Sequence, residues 1–309
     1  INIPLDVNQT QQGYFYNWQF DSTLLKNHKK LNYYLQVWDN DGINGRKSTK
    51  TGEYTFTIPT SKEIKDKITQ AQNKEEKDIN ESIKEAQELK ERLNEAEQRL
   101  KGKKELSWQD ENLIRDIIEK KEELNKAIEK LKEENKLNQL QQKRFSEENK
   151  RIQEKAEKLQ ELMDELLDEE TKKLYDELKK LLSEQKDIDQ VQDLMKQLNN
   201  REKNLEKELE RTLELFKKMK FEYEVNEKVN ELKELSDEQE QLSEDSDNKN
   251  ADNEDLINQQ ESIEEDINII KEELNELEKL GEELKNPKDL PEQEALFEEI
   301  QKAMDESKE

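Results

Sequence analysis

Apolar and polar residues alternate in three stretches near the start of the chain. Tyr14, Tyr16, Trp18 and Phe20 face one way, and Phe15, Asn17 and Gln19 the other. Leu31, Tyr33, Leu35 and Val37 repeat the alternation against Asn32 and Gln36, the run ending at Trp38, and Tyr54, Phe56 and Ile58 do it again. A period of two is that of a half-buried strand. Between the last two runs, Asp39-Asn40-Asp41-Gly42-Ile43-Asn44-Gly45 is rich in residues that tolerate left-handed backbone angles, and it predicts a turn. A β-sandwich takes about 100 residues. Residues 1–60 therefore read as three or four strands of a partial β-sandwich, whose missing strands upstream chain or a partner supplies.

From residue 61 the period changes to steps of three and four. Ile152, Ala156, Leu159, Met163 and Leu166 make one narrow seam. Val191, Leu194, Leu198, Leu205, Leu209, Phe216 and Met219 make a second, and Ile263, Ile267, Ile270, Leu274, Leu277 and Leu284 a third. Stripes this thin are of coiled-coil type, and each helix must pair to be stable. The pattern predicts a mainly α chain: long antiparallel helical hairpins and a bundle over 61–242, an acidic flexible linker over 243–255, and C-terminal helices over 256–309.

Local signals place the ends. Thr60 or Ser61 caps a first helix that runs to about Leu100, ahead of Gly102. Ser107, with Asp110 three residues on, resembles a capping box that opens a second. Ser146 either caps a third helix or lies inside a long one; because the seam continues past it, the second helix reads as unbroken to about Leu167, a length of about 90 Å. Asp168 and either Asp187 or Asp189 are further caps, which leave a helix of about 15 residues around Tyr175 and Leu181. Between Ser243 and Asp255 the only apolar side chain is Ala251. A long helix from about Leu256 to Lys285 is stopped by Asn286-Pro287, and Leu296, Phe297 and Ile300 lie on a short last one.

Composition narrows the function. The chain has 309 residues, 43% of them charged and 30% hydrophobic, with a formal net charge of −26. One thick core would need about 45% apolar residues. The first 60 residues hold 6 of the 53 basic and 5 of the 79 acidic side chains, so the helical part carries the whole negative excess. Interleaved carboxylates repel nucleic acid and anionic lipid, and no apolar run is long enough to span a bilayer. With no Cys and one His, the chain lacks the residues for a zinc site, a thiol nucleophile or a disulfide. No cofactor is expected. The opening Ile1-Asn2-Ile3-Pro4 has no initiator Met and reads as the start of an excerpt, with membrane attachment expected only through segments outside it.

Few constellations invite chemistry. Asp39 and Asp41 are spaced like calcium-loop ligands. Gly42 follows too early, however, Ile43 takes a ligand position and Lys50 stands where the closing Glu belongs, so a hairpin turn is the plainer reading. Carboxylate runs such as Glu264-Glu265-Asp266 lie on polar faces without the burial that acid–base work needs. His28, among Lys26, Lys29 and Lys30, reads as a surface residue. Trp108, one residue after a presumed cap, either packs one helix onto its neighbour or is an exposed binding anchor. Leu213, Leu215, Phe216, Met219, Phe221 and Tyr223 spread around more than one helix face. They read as a hub where helices meet, or as a docking site for a partner. Trp108, Phe216, Met219 and Phe221 are the candidate partner-binding or hub residues.

The run from Tyr33 through Trp38-Asp39-Asn40-Asp41-Gly42 to Ser48, followed by Thr55-Phe56-Thr57-Ile58-Pro59, resembles the last strands of a β-sandwich in a family of long, uncharacterised Bacteroidota envelope proteins. Trp108 and the stretch Glu210 to Lys218 are similar too. In that family a membrane-anchored N-terminal part and such a sandwich precede an acidic coiled-coil segment. The resemblance implies a place, the periplasmic side of the cell envelope, rather than an activity. The expected function is a non-enzymatic scaffold whose rods position protein partners in an envelope complex. The alternative is a holdase-like periplasmic chaperone, or an accessory subunit of an export or assembly complex.

Overall fold

The computed structural model describes residues 30–39, 43, 45–145, 149–184, 187–246, 253–288, 290 and 293–307. The chain divides into two compact units, residues 1–67 and 68–309. The predicted strand over 14–20, His28 and Asp41 lie outside the described residues.

In the first unit, β1 (Lys30–Tyr33) pairs antiparallel with β4 (Tyr54–Thr57), Tyr33 opposite Tyr54 with the two rings stacked at 5.4 Å. Next, β2 (Gln36–Trp38) pairs with β3 (Ser48–Lys50), Trp38 opposite Ser48. Two residues, Tyr34 and Leu35, separate β1 from β2, whereas Thr51, Gly52 and Glu53 separate β3 from β4. The four strands are thus one long hairpin with a bulge, held across the break by Thr51 N–H donating to the Leu35 carbonyl at 2.9 Å. The single strand expected over 31–38 is therefore two. β3 carries no alternation because Ser48, Thr49 and Lys50 are all exposed. A second sheet facing this hairpin is not among the described residues.

The second unit is helical. A Thr60–Glu63 capping box opens α1 (Ser61–Leu100): Glu63 N–H donates to Thr60 Oγ1 at 3.2 Å, and Thr60 N–H to Glu63 Oε2 at 2.8 Å. Lys101 to Ser107 then turn the chain, with Gly102 at φ +78°, into α2 (Trp108–Phe145). The Ser107–Asp110 box is present, Asp110 N–H donating to Ser107 Oγ at 3.3 Å and Ser107 N–H to Asp110 Oδ2 at 3.0 Å. Ion pairs Lys74–Glu134, Lys120–Glu88 and Arg92–Asp116 set α2 antiparallel to α1.

The unbroken helix expected over 107–167 is not found. α3 (Lys150–Glu165) starts afresh on Asn149, whose side chain accepts from Arg151 and Ile152 N–H, and the chain folds back on α2. Asn135 bonds Gln160 at 2.9 Å, and Gln139 donates to the Ala156 carbonyl at 2.8 Å. The seam at Ile152 is in phase with what precedes it because the same spacing serves both arms of a hairpin. Asp168 then caps α4 (Glu169–Ser183), which continues in the direction of α3 after a break at Leu166 and Leu167. Asp187, rather than Asp189, caps α5 (Ile188–Ser246), its Oδ1 accepting from Asp189 N–H at 3.1 Å. Pairs such as Gln192–Leu100, Asn199–Asn94 and Lys220–Asn73 make α5 antiparallel to α1. The result is a four-segment, up-down-up-down bundle of α1, α2, α3 with α4, and α5. Its core includes Ile79, Leu93, Ile117, Leu159, Leu178 and Leu198.

α5 is 59 residues long, about 90 Å, and outruns the bundle. Its C-terminal half pairs antiparallel with α6 (Asn253–Glu282) through Lys228–Glu273 and a reciprocal amide pair, Gln239 with Gln260 at 2.8 and 3.0 Å. α7 (Glu294–Ser307) returns along α6 and buries Phe297 and Met304. The expected linker over 243–255 is shorter: α5 keeps Ser243 to Ser246, and α6 begins three residues before Leu256, with Glu254 and Asp255 in its first turn. Carboxylates there favour the positive end of the helix dipole.

Candidate functional site

Three places in the helical unit gather unusual side chains. The first is where α5 leaves the bundle. Phe216 and Met219 are buried in the bundle core, and Phe221, two residues on, belongs to the second core formed with α6 and α7. Met219, Lys220 and Phe221 are all buried in succession, which a helix allows only when it is covered on opposite faces. Lys220 Nζ donates to Asn73 Oδ1 at 2.7 Å and to Glu76 Oε2 at 3.0 Å. Glu222 takes Lys155 from the bundle and Lys288 from beyond α6. Burial would raise its carboxyl, but the bonds to the two ammonium groups outweigh this and hold it below the ordinary value. Tyr223 is buried, and Leu213 and Leu215 are half-buried. The structure thus brings Phe216, Met219 and Phe221 together as a junction between two cores.

Trp108 is elsewhere. It stands at the first position of α2, beside the Lys101–Ser107 turn, with 76% of its surface exposed. The packing role expected for it is not found.

The second place is a cleft of about 400 Å³ at the α3–α4 break. Lys121, Asn125, Leu167, Asp168, Arg201 and Glu202 are among the residues lining it. At its floor Lys121 Nζ lies 2.9 and 3.0 Å from the two oxygens of Glu202, whose side chain is 0% exposed. Lys121 also sits 5.8 Å from the centre of the Tyr175 ring. Burial, reinforced by the Glu202 charge, raises the Tyr175 hydroxyl well above its ordinary value and keeps it protonated. On the rim, Arg201 holds both Asp168 and Glu170. Burial pushes the Asp168 carboxyl up, but bonds from Glu170 and Thr171, with the Arg201 charge, bring it below the ordinary value. The Lys121–Glu202 pair and the pairs of Arg201 with Asp168 and Glu170 tie α2 and the start of α4 to α5 at the helix break.

The third place is a polar layer in the α1–α2 seam. Gln72 and Glu75 are 1% and 3% exposed. Glu75 Oε2 accepts from Asn138 Nδ2 at 2.9 Å, while its Oε1 and both amide atoms of Gln72 have no hydrogen-bond partner among the described residues. Burial pushes the Glu75 carboxyl up to about 7. Asn138 pulls it back in part, the charges of Glu134 and Asp78 add to the rise, and Lys74 opposes it.

In the turn after β2, Asp39 N–H donates to the Lys47 carbonyl, and Asp39 Oδ1 accepts from Lys47 N–H, both at 2.9 Å. Asp39 serves there as a hairpin clasp. Among the described residues no three His, Cys, Asp or Glu side chains converge as metal ligands, and no helix is long and apolar enough to cross a membrane.

The buried polar residues left a trace in the sequence that apolar spacing alone passes over. Glu202 fills the seven-residue gap between Leu198 and Leu205, and Gln72 and Glu75 fill the gap between Ile68 and Ile79. A gap in an otherwise regular seam marks a position that is buried whatever its side chain. No protein family, curated protein or solved structure matches the chain.

Proposed function

We propose that the chain is a non-enzymatic scaffold, in which antiparallel helical rods hold protein partners at fixed separation within a cell-envelope complex. The observation that carries this reading is α5. One continuous helix belongs to two separate hydrophobic cores, and the two are clamped at the junction by Phe216, Phe221 and Glu222. Distance along such a rod is set by helix rise rather than by a mobile joint. Trp108, exposed at the bundle tip, is the natural docking anchor, because tryptophan buries a large area on contact. The β unit, read as the end of a sandwich, serves as the mounting point. A position on the periplasmic side, anchored through sequence outside these residues, follows from the family resemblance.

A holdase needs a broad apolar surface for clients. Among the described residues of the helical unit the large apolar side chains left exposed are few: Trp108, Leu137, Leu140, Val229, Ile257, Ile269 and Leu296. This favours specific docking over client capture. The test is co-purification from native membranes with the whole chain, with residues 1–60 alone, and with Trp108→Ala. Partners held by the whole chain and lost from both variants support the reading. Undiminished capture by residues 1–60 alone overturns it. Suppression of light scattering by an aggregating client protein would favour the holdase.

A further inference from the structure

We infer that the α1–α2 seam contains an acid-tightened latch, formed by Glu75 with Gln72 and Asn138, which loosens that stretch of the bundle as pH rises toward neutrality.

Gln72 and Glu75 are three residues apart on α1 and so share one helix face. Both are buried between Ile68 and Ile79, where the seam is otherwise apolar. A carboxylate offers only acceptors, and Asn138 supplies one donor, to Oε2 at 2.9 Å. Among the described residues Oε1 has no hydrogen-bond partner, and neither amide atom of Gln72 has one. Protonation changes this accounting. A carboxylic acid carries an O–H donor where the carboxylate has only acceptors, and it removes an uncompensated buried charge.

The surroundings do not supply that compensation. From α1 itself Lys74 and Asp78 face Glu75, and from α2 Glu134 does, two carboxylates against one ammonium. Lys74 is already committed to Glu134 and Asp78. On the α5 side Lys220 is held by Asn73 and Glu76, and Lys217 also pairs with Glu76. From α3, Gln160 is engaged by Asn135. Among the described residues the cation that acts on Glu75 is Lys74, and its ammonium is shared with Glu134 and Asp78.

The sign follows from linkage. A carboxyl raised from 4.5 to about 7 in the closed seam binds its proton more tightly there than when the seam opens. The closed state is therefore favoured fully below about pH 4.5, and that advantage is lost as pH rises through about 7. Across this window the local opening constant should rise about tenfold per pH unit, roughly 300-fold in all, and then level off.

Hydrogen exchange on the whole chain reads this directly. The amides of residues 68–79 and 131–142 would be followed from pH 4.5 to 8.5 and corrected for intrinsic exchange, in wild type and in Glu75→Gln. The expected result is an opening constant that climbs in wild type relative to the variant through the window, with the variant tighter by roughly 300-fold at pH 8. Parallel profiles for the two proteins would overturn the inference. Should Glu75→Gln fail to fold, the carboxyl carbon of Glu75 can be titrated by NMR in the wild type. A midpoint near 7 supports the latch and one near 4.5 overturns it.

Discussion

Lys121 of α2 and Glu202 of α5 form an ion pair sealed inside the bundle, with side chains 6% and 0% exposed and Nζ within 3.0 Å of both carboxylate oxygens. Such a pair gives up two hydration shells, so its net contribution is small, whereas breaking it strands a charge. Lys121→Met or Glu202→Leu alone should destabilise the helical unit by about 3–5 kcal/mol. The double variant should lie close to wild type or above it. Urea unfolding of the four proteins, closed as a mutant cycle, measures the coupling, and equal losses in the single and double variants would contradict it.

Asp110 gives a pH dependence of the opposite sign to Glu75. Burial would raise its carboxyl, but the Lys103 ammonium and the Ser107 hydroxyl and N–H outweigh this and hold it at about 2, below the ordinary 3.8. A depressed carboxyl contributes stability above its unfolded value and loses it as pH falls through its folded one. The window is therefore about pH 4 down to 2, and the loss about 2 kcal/mol. Asp110→Asn should remove this acid-labile component, visible as a flatter fall in the urea midpoint between pH 4 and 2.

Caps were legible because capping is local. Ser107 with Asp110, Asp168 and Asp187 each bond N–H groups two or three residues away, and side-chain spacing reports that directly. The α2–α3 turn was legible only as the lesser of two readings, a cap at Ser146. Asn149 caps as well as Asp168 does, but seam phase survives a turn, so periodicity carried straight through it. The cleft depends on α2, α4 and α5 converging, and nothing in one dimension distinguishes Glu202 from the many solvated Glu residues except its place in the heptad gap. Residues Leu213 to Tyr223 read as a hub because a helix apolar on all sides must be covered on all sides. Which core each residue joins depends on the path of α6 and α7.

That division predicts separable effects at three of the candidate partner or hub residues. Phe216→Ala and Phe221→Ala should each cost about 3–5 kcal/mol. The first should expose amides of α3 and α4, and the second those of α6 and α7. Trp108→Ala, at an exposed position, should change stability by no more than about 0.5 kcal/mol. Hydrogen exchange mapped by segment checks all three, and a stability loss at Trp108 would place it in the fold rather than at a docking surface.

Gly281, one residue before the end of α6, lies in the seam between Leu277 and Leu284, where the chain folds back so that Lys288 N–H donates to the Gly281 carbonyl at 3.2 Å. A Cβ there would lie 2.4 Å from the Lys288 carbonyl oxygen and 2.9 Å from Cε2 of the Phe221 ring. The first obstacle is backbone and cannot swing aside, and the second is a ring buried in the second core. Gly281→Ala should therefore cost about 1–3 kcal/mol through displaced backbone, although alanine is the better helix former. The damage should fall on the turn after α6 and on the docking of α7, leaving the four-segment bundle intact. Protease cleavage between residues 283 and 293, measured against cleavage inside α1, reports it. Unchanged cleavage would mean that the turn yields without loosening its hold on Phe221.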